Sequence, residues 1–357
     1  MALTAAVARL STVSPEPQSY PWPPGTATGV GSMPGTDPAA TAHTVLKELP
    51  DFPHLAELPA RGPGADLVGR TAAMLVGLAV ETTPGGWKFA PAPGRDHRRA
   101  ASMLARDLDE LEQAAEGWDG PLKVQACGLW TMAASIELSR SNEPTLRDPG
   151  AVADLTASLA EGVAAHLAEV RKRLPGATVL LQLDEPSLPA ALDGAIPSAS
   201  GLNRVREVDA AAASAGLQAV FTAAAAFGVV HCCAPGVPFK IISGSGAGAV
   251  SFDLSLLRRD EEDGLAEAAE SGLGMLVGAT RPYFERDRSG RPPAPRDVAT
   301  RVKDLGHRMG VPPAALASAV VITPTCGLAG SSPAGAREVL ARCREAARIL
   351  PELIEEG

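Results

Sequence analysis

The stretch VVHCCAPGVPF, residues 229–239, runs from an apolar segment into a loop and carries a histidine and two cysteines at the junction. Val229, Val230 and Ala234 read as a buried strand entering that loop, and the polar residues sit at its C-terminal end. Seven further stretches follow the same plan: ATGVGS (27–32), HLAELP (54–59), LKVQACG (122–128), TVLLQLD (178–184), GAVSFD (248–253), GMLVGAT (274–280) and AVVITPTC (319–326). Helical stretches rich in Ala and Leu alternate with them at 37–49, 65–80, 97–116, 150–174, 205–227, 261–271, 295–309 and 334–349. The first opens with Asp37 as cap and Pro38 in the first turn. Eight strand-helix units imply parallel βα connections and predict an α/β fold, a closed (β/α)8 TIM barrel over residues 25–357. Residues 1–24, rich in Pro and Ser, read as an irregular arm. An open doubly wound sheet is the alternative. No GxGxxG follows a strand, however, and GSGAG (244–248) precedes one.

A chain of 357 residues with 45% apolar and 20% charged residues can bury a sizeable core. Its net charge of −9, with only 4% aromatic residues, excludes a basic stripe or a base-stacking surface, so no nucleic-acid partner is expected. No basic-then-apolar leader and no run of about 18 apolar residues is found, so the expectation is a cytoplasmic protein with no membrane partner. The cysteines are Cys127, Cys232, Cys233, Cys326 and Cys343. An odd, sparse set in a reducing compartment favours metal or catalytic roles over disulfides.

Residues at barrel strand ends converge however distant they are in sequence. Here those ends carry Ser32, Asp184, Glu185, His231, Cys233, Asp253 and Cys326. The period of two puts His231 and Cys233 on one side of their strand and Cys232 on the other. With Cys326 and Asp253 they make a donor set suited to tetrahedral zinc. The gaps of 2, 20 and 73 residues are those of a site gathered from several strands, not of a zinc finger. Cys232 and Cys343 read as inert and Cys127 as packing, while the other histidines, His43, His54, His97, His166 and His307, lack a constellation. Glu185 points away from Asp184 and reads as bonding the barrel or an adjacent loop. Trp130 in GLWTMAAS (128–135) reads equally as a flat wall for a donor ring or as a packed aromatic at a helix start.

VGSMPGTDP, LQLDEPSLP, VHCCAP, AVSFDLS and VITPTCGLAG occur in the order and approximate spacing of motifs of the cobalamin-independent methionine synthase catalytic barrel. The chain resembles that family, within the superfamily shared with uroporphyrinogen decarboxylase, from about Thr28 to Gly330. The resemblance implies a zinc-dependent methyltransferase acting on a small-molecule thiol, most simply homocysteine, with His231, Cys233 and Cys326 as zinc ligands. The family's usual fourth ligand, a glutamate, corresponds to Asp253. Gly31, Ser32 and Asp184 match positions that hold the amino acid part of homocysteine.

Three departures accompany the resemblance. The full-length family enzyme has a second barrel that helps hold folate. Where the family carries IHSP, whose histidine serves as an acid for the folate nitrogen, this chain has GATRP with Thr280 and Arg281. Where the family's second-strand loop carries a glutamate for the substrate amine, Arg61 and Pro63 occur, with Glu57 earlier as the substrate-binding candidate. A tertiary amine leaves poorly unprotonated, so the missing acid leads to an expected donor of methylcobalamin or a corrinoid protein partner. The competing functions are a uroporphyrinogen decarboxylase-type enzyme, which would need several arginines, and a non-catalytic zinc- or thiol-binding relative.

Overall fold

Apolar strands cannot leave their backbone groups unpaired once buried, and here they pair side by side in one direction. The computed structural model describes residues 19–282 and 292–356. One parallel sheet runs in the order Thr26–Ala27, Val320–Pro324, Gly274–Thr280, Ala249–Asp253, Phe227–Cys232, Thr178–Asp184, Pro121–Cys127. Residues 54–57 bridge its two edges: Ser32 pairs with Glu57 and His54 with Lys123, both parallel. The bonds Glu57 N to Gly31 O (3.2 Å) and Leu55 N to Lys123 O (2.9 Å) complete the ring. The fold is the expected eight-stranded (β/α)8 barrel. Side-chain caps position its helices: Asp37 before Pro38–Glu48, Asp148 before Pro149–Arg173, Asp209 before Ala210–Ala224 and Ser332 before Pro333–Glu355. Among the described residues, no helix is long and apolar enough to cross a membrane.

One predicted element differs. The helix expected over 65–80 is only Leu67–Ala72, and the chain then forms a hairpin, Ala79–Thr83 against Gly86–Ala90. Pro84 and Gly85 make its turn between Thr- and aromatic-containing arms, a strand signal that outweighs the helical spacing before it.

The barrel interior is layered. At the bottom, Leu180, Val229, Ala249, Leu276 and Val321 form an apolar floor with Trp22 and Phe52. Residues 19–24 of the expected arm supply the seal, while 1–18 lie outside the described residues. Tyr20 stacks on Trp22 (5.2 Å between centroids), Trp22 on Phe52 (5.9 Å), and Phe227 meets Trp22 edge-on (5.3 Å). The Trp22 indole donates to Ser318 O at 3.2 Å. Trp22→Ala should destabilise the barrel by about 3–5 kcal/mol, because the floor cannot collapse into the lost volume. Urea unfolding checks this; a loss under about 1 kcal/mol would show that the seal is dispensable.

Above the floor the interior is polar rather than apolar. Lys123, Gln125, Gln182, Ser251 and Thr323 are all buried on the strands there. Each needs a partner in so dry a place. The Lys123 ammonium donates to Val30 O at 2.8 Å, Gln125 Nε2 to Leu55 O at 3.1 Å and Gln182 Nε2 to Val30 O at 2.9 Å.

Candidate metal and amino acid site

The top of the barrel brings together three of the four expected ligands. One donor atom each from His231, Cys233 and Cys326 lies within 4.8 Å of the others, with the two sulfurs 3.5 Å apart. Alternation on the strand Phe227–Cys232 does as expected: Cys232 is fully buried in the opposite direction, where burial pushes its thiol up to about 12. Cys343 and Cys127 are likewise buried with raised thiol values, as packing residues should be.

His231 Nδ1 lies 2.9 Å from Ser251 Oγ. With the proton on Nδ1 donated to that hydroxyl, the Nε2 lone pair is free, and Nε2 is buried with no hydrogen-bond partner. The neighbouring Cys233 thiol and His231 draw Cys326 down to about 4, while Cys326 and burial drive Cys233 well above a normal thiol. A divalent cation bound there would require both cysteines as thiolates and would displace their protons. An orphaned imidazole nitrogen facing a thiolate and a thiol fits zinc, and a three-residue set with Cys326 exposed fits a site that keeps a position for substrate.

Asp253 does not join this group. Its Oδ1 accepts from Ser255 N (2.8 Å) and Ser255 Oγ (2.7 Å), so the carboxylate closes its own turn instead of facing the sulfurs. Asp-x-Ser is a local turn signal that competes with any distant ligand role.

Gly31 and Ser32 stand beside the third ligand. Leu328 N donates to Ser32 O at 2.7 Å, and a Cβ on Gly327 would come within 1.9 Å of Ser32 Oγ. Only glycine after Cys326 lets that hydroxyl approach. On the other side Asp184 pairs in register with His231 and is buried. Burial raises its carboxyl, while His231, Lys123 and Gln182 oppose the rise.

Glu57 is nearer the site than its spacing implied. It is buried, pairs with Arg70 Nη1 at 3.1 Å, and is raised to about 7 by burial, against Arg70, and by Asp184. Arg61 is absent from this region, since it makes a two-pronged bridge to Asp107 (2.7 and 2.6 Å). Two buried carboxylates, one of them paired with Arg70, form a polar subsite able to accept an ammonium.

Sequence reading missed Lys123, which lies within electrostatic reach of both carboxylates and is pushed down to about 7 by burial. It also left Glu185 undecided. That carboxylate accepts from Trp130 N (2.9 Å), Thr131 N (2.8 Å) and Thr131 Oγ1 (2.8 Å), tying the helix Leu129–Ser135 to the barrel. Gly128 is required beneath it, because a Cβ there would lie 2.3 Å from Glu185 Oε1.

Trp130 is packing, not a wall of this site. Its indole donates to Ala213 O at 3.0 Å, and the ring lines a 1510 Å³ cleft on the barrel flank, between Pro149–Arg173 and Ala210–Ala224. None of His231, Cys233 and Cys326 lines that cleft. At the end of Gly274–Thr280 stand Thr280, which is buried, and Arg281, with no histidine.

A closed parallel barrel whose mouth gathers one His and two Cys from two strand ends, beside buried carboxylates, has a donor set that could hold a divalent metal. The family model described as "Cobalamin-independent synthase, Catalytic domain" matches residues 142–349, more than half of the chain. The chain belongs to that methionine synthase-like family and is a methyltransferase. No curated protein matches it. Among solved structures it is similar to a B12-independent methionine synthase from Shewanella sp. W3-18-1 in complex with selenomethionine, at 13% identity and TM-score 0.60. That match covers 94% of this chain and 100% of the other, and it shows a common fold. An uncharacterised protein matches at 14% identity over 72% of this chain and 68% of its own, with a TM-score of 0.27. The expected methylcobalamin donor and corrinoid partner find no support, since the family is described as cobalamin-independent.

Proposed function

We propose that the protein methylates the thiol of homocysteine, giving methionine, at a zinc ion held by His231, Cys233 and Cys326. The observation that carries this reading is the meeting of those three donor atoms within 4.8 Å at the same barrel mouth as Glu57, Asp184, Gly31 and Ser32. Zinc bound there would keep the substrate sulfur deprotonated at neutral pH while leaving it a lone pair for attack.

The chain's own residues supply orientation. Glu57 and Asp184 hold the ammonium, and the Gly31 and Ser32 backbone and hydroxyl hold the carboxylate, so that sulfur is presented toward the open mouth. The new bond is sulfur to methyl carbon, and the bond broken joins that carbon to the donor. The donor is read as a folate-type methylamine, on the strength of the family's cobalamin independence. With Thr280 and Arg281 where the family has its acid, solvent supplies the proton that the departing nitrogen takes.

The test is methionine formation, followed by mass spectrometry, from zinc-loaded protein and homocysteine with either methyl-tetrahydrofolate or methylcobalamin. Methionine with the folate is the expected result. Methionine with methylcobalamin alone would overturn the donor, and none with either would overturn homocysteine methylation.

A further inference from the structure

Gln182 lies wholly within the barrel, at 0% exposure, and its amide nitrogen makes two bonds. Nε2 donates to Val30 O at 2.9 Å and to Asp184 Oδ1 at 2.6 Å. Both partners accept, so the amide's orientation is decided by chemistry, and its two hydrogens serve one acceptor each. Val30 is the residue before Gly31 and Ser32. The Lys123 ammonium, 2.8 Å from the same carbonyl, fixes it from the neighbouring strand. Asp184 is two residues beyond Gln182, on the same face of the strand.

We infer that Gln182 is a positioning residue: one planar amide ties the loop of Gly31 and Ser32 to the carboxylate of Asp184, and so sets the width of the α-amino acid subsite. This rests on the functional reading above, in which the loop takes the substrate carboxylate and Asp184 its ammonium. The yoke touches no substrate. It holds two substrate-binding elements from different strands at a separation that fits a carboxylate and an ammonium on one carbon, and it disfavours thiols lacking either group. Because Gln182 is neutral, it orients Asp184 without adding a charge of its own to those of His231 and Lys123 nearby.

The test uses this 357-residue chain, wild type and Gln182→Met, loaded with zinc for kinetics and with cobalt for binding. The probes are homocysteine and 4-mercaptobutanoate, which lacks the ammonium. Wild type should perturb the cobalt spectrum with homocysteine at far lower concentration than with the analogue. In Gln182→Met that preference should shrink about 10- to 100-fold, the loss expected for hydrogen bonds to a charged group. KM for homocysteine should rise in parallel, with kcat within about threefold and zinc content unchanged. Gln182→Asn, which keeps the amide but is too short to span both acceptors, should move the same way and answers the question if the methionine variant does not fold.

An unchanged preference in the variants overturns the positioning role while leaving the functional reading intact. Loss of kcat and zinc with preference retained does the same, by showing a merely structural residue. A wild-type cobalt spectrum indifferent to homocysteine overturns the functional reading and the inference together.

Discussion

Cys326→Ser is expected to lose bound zinc and, with it, at least on the order of 1000-fold in methionine formation, since a metal that stabilises a sulfur anion supplies several kcal/mol of the barrier. Cys326 is the ligand on which the set depends. It lies 3.5 Å from Cys233 and is the only one of the three delivered by the strand Val320–Pro324 and its loop. Serine fits the space but does not ionise near neutral pH, so His231 and Cys233 alone would remain. Metal analysis beside the activity assay decides the cause. Full zinc in an inactive variant would mean that Cys326 acts otherwise than as a ligand, and full activity without zinc would remove the metal from the mechanism.

The second large effect is at the other end of the substrate. Asp184→Asn keeps an oxygen for Gln182 but removes the charge that faces the ammonium. KM for homocysteine should rise on the order of 100-fold, the scale for losing one member of a buried charged pair. Zinc content should not change, because Asp184 is outside the ligand group. Steady-state kinetics with 4-mercaptobutanoate supplies the control, since a thiol without an ammonium should be indifferent to the substitution. An equal loss with both thiols would place Asp184 in a general structural role.

The barrel was legible because each strand is a short apolar run ending in polar residues, and closure brings those ends together. That reasoning grouped His231, Cys233 and Cys326, whose donor atoms the structure brings together, with the period of two separating Cys233 from Cys232. Asp253 was not distinguishable from a ligand by position. Its turn with Ser255, two residues on, is a local bond that strand-end reasoning overlooks. Trp130 could not be placed because the helix start and the barrel mouth share that stretch of chain.

The polar middle layer was missed for a different physical reason. Lys123 and Gln125 alternate with Leu122 and Val124, and Gln182 with Leu181 and Leu183. In an open sheet that period-two pattern means one face in water. Here the apolar side chains face the helices, and closure turns the polar face inward, so the same letters describe the interior of the barrel. The hairpin Ala79–Ala90 was lost because the short helix before it was extended to residue 80, into the hairpin's first arm.

The aromatic seal of Tyr20, Trp22, Phe52 and Phe227 has a kinetic consequence. With the lower end shut, the ligand group among the described residues is reached from the upper end, where Glu57 and Asp184 are buried and Cys326 is exposed. Under the proposed reaction, the amino acid is expected to be seated before the bulkier methyl donor covers it, and the product to leave after the spent donor. Initial rates with both substrates varied should then show a compulsory order, with excess donor inhibiting and excess amino acid not; a random-order pattern would remove this consequence.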